Sequence, residues 1–269
     1  MIDPLGYAGA RAVVTGSFSG IGEATARLLV ELGAEVTAID IKETTADVAR
    51  SLQVDLRDKA AIEDAAAAIG PIDAFFNCAG VAGPPFSGKT AFPPIDTMVV
   101  NFVGPRHLIE LVIPSMPSGS SIAYVASASG FAWKQSLDTL MPLVTAQGFD
   151  AGIAWCEAHR EVIDENTYFV SKEAINIWTA WRSSSLIRDS GIRLNCTNPG
   201  SVETPMMDVF RGLMPDPPTG PIGRMSTPEE QAWPLLALNS PRFSYVNGQS
   251  FIIDGGMFGA SDTGQSIES

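Results

Sequence analysis

The chain has 269 residues, 45% of them hydrophobic and 17% charged, with a formal net charge of −13. That acid surplus repels phosphate backbones and leaves no basic stripe, which argues against nucleic acid as a partner. No apolar run is long enough to cross a bilayer, and Met1-Ile2-Asp3-Pro4 has no basic segment ahead of an apolar one, so a cytoplasmic protein without membrane contact is expected.

Ala10 to Thr15 reads as a buried strand and runs directly into Gly16-Ser17-Phe18-Ser19-Gly20-Ile21-Gly22. From Gly20 to Leu32 the apolar residues Ile21, Ala24, Leu28 and Leu29 recur at helical spacing, and Gly33 supplies the stop. In a strand, glycine turn and helix of this kind, side chains at the glycines would hold a pyrophosphate away from the backbone amides and the positive helix end. Glu35 to Asp40 is the next strand, and its terminal acid lies eighteen residues after Gly22. A carboxylate there accepts both ribose hydroxyls of an adenosine and repels a 2′-phosphate, which favours NAD over NADP; Lys42 softens the preference.

Ser51 to Val54 leads to Asp55, a helix follows from Asp58 to Ile69, and Ala74 to Gly80 is a strand entering a tight turn. This alternation implies a parallel sheet with right-handed crossovers, covered by helices on both faces. Ligands of such sheets bind at the carboxyl ends of the strands, where Gly16, Asp40, Asp55 and Asn77 fall. Residues 81–95, rich in Pro and Gly, are expected to form an exposed loop, and Asp96 to Met116 one long helix containing Asn101. Ser121 to Ala126 is a fifth strand that delivers Ser127 to the same edge, with Ser129 as a near competitor. Residues 128–166 read as a helical insertion, helical over Phe149 to Ile163, that covers an interface or the pocket.

A helix from Thr167 to Leu186 places Tyr168 and Lys172 one turn apart on one face. The ammonium is expected to lower the phenol's pKa from its usual value of about 10, equipping the pair to move a proton. A sixth strand begins at Gly191 and ends at Asn198-Pro199-Gly200; Thr204-Pro205 starts a short helix, and the Met-, Phe- and Pro-rich stretch 204–226 reads as a lid over an apolar substrate. Thr227-Pro228-Glu229-Glu230 opens a further helix, Ser250 to Ile253 is the last strand, and the polar tail from Gly259 is expected to be mobile. Cys78, Cys156 and Cys196 have no C-x-x-C spacing and read as small hydrophobes; His107 and His159 have no ligand spacing, so no metal site is expected.

These motifs, taken in order, resemble the short-chain dehydrogenase/reductase family over nearly the whole chain. They are Thr15-Gly16-x-x-x-Gly20-Ile21-Gly22, Asp55, Asn77-Cys78-Ala79-Gly80, Asn101, Ser127, Tyr168-x-x-x-Lys172, Pro199-Gly200-x-x-x-Thr204 and Asp254-Gly255-Gly256. Cys78 departs from the family's usual second Asn. The resemblance implies an α/β fold: one doubly wound Rossmann domain spanning 1–269, with a mostly parallel seven-stranded sheet. It implies NAD held by Gly16, Ser19, Gly20, Ile21, Asp40, Ile41, Asp55, Leu56, Asn77, Ala79, Gly80, Tyr168, Lys172, Pro199, Gly200, Val202 and Thr204.

It further implies that Tyr168 is the general acid/base, that Lys172 lowers its pKa and holds the nicotinamide ribose, and that Ser127 donates to the substrate oxygen. Asn101 completes a proton relay through water. Ser127 and Tyr168 stand 41 residues apart, far more than in most members. That interval is similar to the branch containing bacterial 3α-hydroxysteroid dehydrogenase/carbonyl reductase and the coniferyl alcohol dehydrogenases, where a helical insertion lies at the usual subunit contact. The expectation is an NAD-dependent oxidoreductase acting on a secondary alcohol or ketone of a hydrophobic substrate such as a steroid, assembled as a homodimer with an altered interface. Oxidation of an aromatic primary alcohol is the alternative; a non-catalytic dinucleotide sensor is disfavoured by the intact set Asn101, Ser127, Tyr168 and Lys172.

Overall fold

The computed structural model of the protein describes residues 3–86 and 92–265. Its strands are β1 (Arg11–Thr15), β2 (Glu35–Asp40), β3 (Arg50–Gln53), β4 (Ala74–Asn77), β5 (Ser121–Val125), β6 (Arg193–Pro199) and β7 (Ser250–Ile253). They form one sheet in the order β3-β2-β1-β4-β5-β6-β7, with every pairing parallel. The chain winds outward from β1 to β3 and then returns to the other side of β1, which makes the carboxyl ends of β1 and β4 the switch point where such sheets bind ligands.

Both faces of the central strands are buried, as a sheet covered by helices on each side requires. Val13, Phe75, Ile122 and Tyr124 join one core; Ala12, Val14, Phe76 and Val125 join the other. The first core holds α2 (Lys59–Ala68), α4 (Gly104–Val112) and α8 (Thr167–Ser190); the second holds α1 (Gly20–Glu31) and α10 (Pro228–Asn239). α10 starts at the expected capping box, with Glu230 N donating to Thr227 Oγ1 and Thr227 N to Glu230 Oε2. No helix among the described residues is long and apolar enough to cross a membrane.

Several boundaries differ from expectation. The helix anticipated over Asp96–Met116 is α3 (Pro94–Met98), a π-helical turn (Val99–Val103), α4 and a 3₁₀ turn (Ile113–Ser115). Pro105 has no N–H to give the carbonyl of Asn101, so the α-ladder cannot run through this point, and the Tyr124 hydroxyl donates to that carbonyl instead at 3.0 Å. α8 extends to Ser190, where Gly191 adopts the left-handed conformation (φ 69°) and caps it, so β6 begins two residues later than Gly191. The loop expected to be exposed is buried at Ala82, Gly83 and Pro84, with Gly83 against the Thr97 side chain; 87–91 lie outside the described residues. The tail expected to be mobile from Gly259 carries α11 (Met257–Asp262), and 266–269 lie outside the described residues.

The insertion is more helical than its second half suggested. A 3₁₀ segment (Ala128–Ser136) leads into α5 (Leu137–Thr145), α6 (Gly148–Ala158) and α7 (Arg160–Ile163), and a break at His159 divides the helix expected over Phe149–Ile163. Arg106 of α4, only 3% exposed, anchors it. Its Nη1 donates to the carbonyls of Leu143 and Val144 at 2.8 and 3.2 Å, and its Nη2 to that of Gly148 at 3.0 Å. The guanidinium thus meets the negative end of α5.

Candidate active site

The glycine turn is required by the protein's own packing. Gly16 has φ 68°, and a Cβ there would lie 2.6 Å from the backbone of Ala79; a Cβ at Gly22 would lie 2.0 Å from the carbonyl oxygen of Gly16. The ligand is therefore not the only reason for these glycines: the loop after β4 forbids a side chain at Gly16, and the backbone of Gly16 forbids one at Gly22. With the turn this tight, Ser19, Gly20 and Ile21 bring the unpaired amides of α1's first turn to the wall of a cavity of about 940 Å³.

The cavity runs over the carboxyl ends of the strands. At one end stand Asp40, Ile41, Asp55 and Leu56. Asp40 accepts from the amides of Phe18 and Lys42, each at 3.0 Å, which fixes the carboxylate at the tip of β2. The Lys42 ammonium sits 4.6 Å from the centroid of Phe18. Asp55 is gripped by Arg57 at 2.7 Å, and the hydrogen bond from that guanidinium holds its carboxyl below the usual range.

At the other end α8 presents Tyr168 and Lys172, both buried. The Lys172 Nζ lies 5.6 Å from the Tyr168 ring centroid and donates to the Val125 carbonyl at 3.2 Å. The expected lowering of the phenol's pKa is not found in the protein alone. Burial pushes Tyr168 up to about 12, opposed in part by its hydrogen bond with Ser127, and burial pushes Lys172 down to about 8. Two groups withdrawn from water each disfavour their charged form, and at this separation desolvation outweighs their mutual attraction. Ser127 rather than Ser129 engages Tyr168; the Ser129 amide donates to the Ser127 Oγ at 3.1 Å and holds it in place.

Seventeen of the nineteen residues expected at the site line this one cavity, including Ala79, Gly80, Pro199, Gly200, Val202 and Thr204; Asn77 and Asn101 stand behind it. Asn77 Oδ1 accepts from Thr15 Oγ1 at 2.6 Å, tying β4 to β1 at the switch point. The Asn101 side chain pins the loop after β4, accepting from Val81 N at 2.8 Å and donating to Val81 O at 3.1 Å and Ser171 Oγ at 3.0 Å. Among the described residues no cluster of His, Cys, Asp or Glu could hold a metal. His107 lies 3.5 Å from Glu63, His159 Nδ1 is 2.8 Å from the Trp155 carbonyl, and all three cysteines are free.

Sequence reasoning missed two sets of residues. Asn176, one turn after Lys172, donates to the carbonyls of Lys172 and Gly130 and to Asn198 Oδ1, joining α8, the segment after Ser127 and β6. Its i, i+4 spacing from Lys172 was the available signal. The second set is aromatic: Phe86, Phe131 and Phe258. Phe210 of α9 (Pro205–Phe210), within the stretch expected as a lid, meets Phe86 edge-on at 4.5 Å and Tyr168 at 5.3 Å, and Phe131 stacks on Phe258 at 4.2 Å. The three missed rings come from separate segments, and no spacing in the chain announces them.

The short chain dehydrogenase model matches residues 10–137, and the Enoyl-(Acyl carrier protein) reductase model matches 134–258. The chain is 31% identical over 250 residues to a coniferyl-alcohol dehydrogenase of Pseudomonas sp. (strain HR199 / DSM 7063), covering 91% of this chain and 95% of that one. The chain belongs to the short-chain dehydrogenase family. It is also 31% identical over 262 residues to the 3-alpha-hydroxysteroid dehydrogenase/carbonyl reductase of Comamonas testosteroni, with the same coverage of each chain. Among solved structures, the 3-alpha-hydroxysteroid dehydrogenase from Pseudomonas sp. B-0831, complexed with NADH, superimposes with a TM-score of 0.76 at 26% identity, covering 96% of this chain and all of that one. This short-chain dehydrogenase is therefore an oxidoreductase acting on CH–OH groups, a reaction in which a nicotinamide dinucleotide is the family's partner. The residues present fit such a group: α1 offers its first amides at the cavity wall, and the Asp40 carboxylate, a hydrogen-bond acceptor, lines the same cavity at the tip of β2.

Proposed function

We propose that this chain is an NAD-dependent oxidoreductase that interconverts a secondary alcohol and a ketone on a hydrophobic, polycyclic substrate such as a steroid, with Tyr168 as general acid/base. The observation that carries this reading is Tyr168 itself, buried in an aromatic-walled cavity against Phe86 and Phe210 and hydrogen-bonded with Ser127. NAD would be held by the Gly16–Ile21 turn, Asp40, Ile41, Asp55, Leu56, Ala79, Gly80 and the Pro199–Thr204 segment, with Asn77 bracing the turn from behind. When bound it supplies the hydride acceptor or donor. In oxidation Tyr168 Oη, its own proton passed to the water relay beside Asn101, takes the alcohol proton; in reduction the phenol gives its proton to the substrate oxygen and is reprotonated by the same relay. Ser127 Oγ donates to the substrate oxygen and stabilises the negative charge that develops there. Lys172 keeps a positive charge near the phenol below about pH 8, and Asn101 braces the loop beside it and contributes to a water-borne relay.

Segment 204–226 acts as the lid through Phe210. The flat faces of Phe86 and Phe210 also suit an aromatic ring, which supports a second reading, oxidation of an aromatic primary alcohol. Assembly as a homodimer with an altered interface is part of this proposal, on the ground that the insertion lies where the family's usual subunit contact forms; a solution mass of a stable tetramer would overturn that part. The test of the activity is a screen of hydroxysteroids and aryl alcohols with NAD and with NADP, following reduced nicotinamide absorbance. Turnover of a steroid alcohol with NAD is expected; turnover confined to primary aryl alcohols selects the second reading.

A further inference from the structure

The substrate end of the cavity is walled by Phe86, Phe131, Phe169, Phe210, Met214 and Phe258. Among the described residues lining that end, Glu173 is the only carboxylate, the other two lining acids, Asp40 and Asp55, standing at the tips of β2 and β3. It occupies α8 one turn beyond Phe169, and both residues border the cavity, so the pocket wraps around the helix past the Tyr168 and Lys172 face. The carboxyl is half-buried, and burial pushes its pKa up; a hydrogen bond from Ser136, at the end of the insertion's first segment, acts in the opposite sense. An ionised carboxylate has about four acceptor sites. With one bond to Ser136, acceptor sites remain for a donor on a ligand in the cavity that Glu173 lines, and a ligand that displaced water there without supplying one would leave a partly desolvated acid short of partners.

We propose that Glu173 is a specificity-determining residue that accepts a hydrogen bond from a second hydroxyl on the substrate, remote from the carbon oxidised at Tyr168. This rests on the function proposed above and narrows it: the substrate is a hydrophobic alcohol with a hydroxyl at each end, one reacting and one read by Glu173. The same wall explains why the insertion matters to chemistry as well as to assembly, since its first segment supplies both Phe131 and the Ser136 that orients the carboxylate.

The test uses 4-phenylbutan-2-ol and its para-hydroxyphenyl counterpart. Dissociation constants for both are measured by calorimetry on the full protein saturated with NADH, and turnover is measured separately with NAD. Wild type is expected to bind the hydroxylated alcohol about tenfold more tightly. Glu173→Leu is expected to erase that preference by weakening the hydroxylated alcohol while the parent alcohol binds as well or better, and Glu173→Gln, which keeps one acceptor and the shape, to lose only part of it. Equal binding of the two alcohols by wild type, binding of neither, or an equal loss on both in the variants overturns the proposal. Binding with the expected preference, with no turnover of either alcohol or of any hydroxysteroid in the screen above, leaves Glu173 standing and defeats the functional reading.

Discussion

The two ends of the cavity are built by different means. The end from Gly16 to Leu56, where we place the adenosine, is a product of backbone: tight approaches of Gly16 and Gly22 to main chain and two amides fixing Asp40. The other end, where we place the substrate, is a product of side chains delivered from distant segments, with Phe86 and Phe210 packed against Tyr168 and Phe131 stacked on Phe258. Backbone geometry tolerates little change, whereas a wall of rings can be recut one residue at a time. In the function proposed above, the first end would hold the dinucleotide and the second would select what is oxidised.

The largest expected effect removes the group on which both ends converge. Tyr168→Phe should lower kcat by roughly 10²–10⁴-fold, the range for a lost general acid/base, while calorimetric binding of NADH stays close to wild type. Unchanged turnover would remove Tyr168 from the chemistry. Next, Asp40→Ala should raise the KM for NAD about 10- to 100-fold, corresponding to one or two lost hydrogen bonds to a charged acceptor, and change that for NADP much less. Equal losses for both would show that the adenosine end does not discriminate by this carboxylate.

At the substrate end, Phe210→Ala should weaken a hydrophobic alcohol by about two- to tenfold, since an aromatic pair contributes roughly 0.5–1.5 kcal/mol beyond area, with the KM for NAD unchanged. A matching rise in the NAD constant would mean that the two ends are not separable. The smallest effect is on stability. Because the folded pKa of Lys172 is depressed to about 8 from its ordinary 10.5, the unfolded chain binds the extra proton between these values, so stability rises with pH across that window. Tyr168 acts oppositely, its raised pKa of about 12 making stability fall above pH 10. Lys172→Met should therefore flatten the rise in melting temperature from pH 8 to 10; an unchanged slope would contradict the burial of its charge.

The same contrast explains what the chain discloses by itself. Gly16, Asp40, Asp55, Tyr168 and Lys172 are legible because each sits at a fixed offset from a strand end or within one helical turn, and the parallel sheet follows from the alternation of strands with helices. Asn101 was legible as a residue but not in its contacts, since its side-chain partners Val81 and Ser171 come from other elements. The break around it was encoded locally by Pro105, but only the arrival of Tyr124 shows how the freed carbonyl is satisfied. The long interval before Tyr168 announced an insertion, and its apolar spacing exposed α6 and α7 but not α5, whose buried Leu140, Leu143 and Val144 fall in a short stretch interrupted by Pro142. The phenol's environment was least legible of all, because desolvation depends on everything packed around a group.

Arg106 holds the insertion through main-chain carbonyls of Leu143, Val144 and Gly148, and a carbonyl is the same whatever side chain follows it. The anchor therefore reads shape and is blind to sequence. Substitutions along the insertion that preserve its helices can alter the surface it presents without loosening its hold, which makes this segment a replaceable face fastened to a fixed frame.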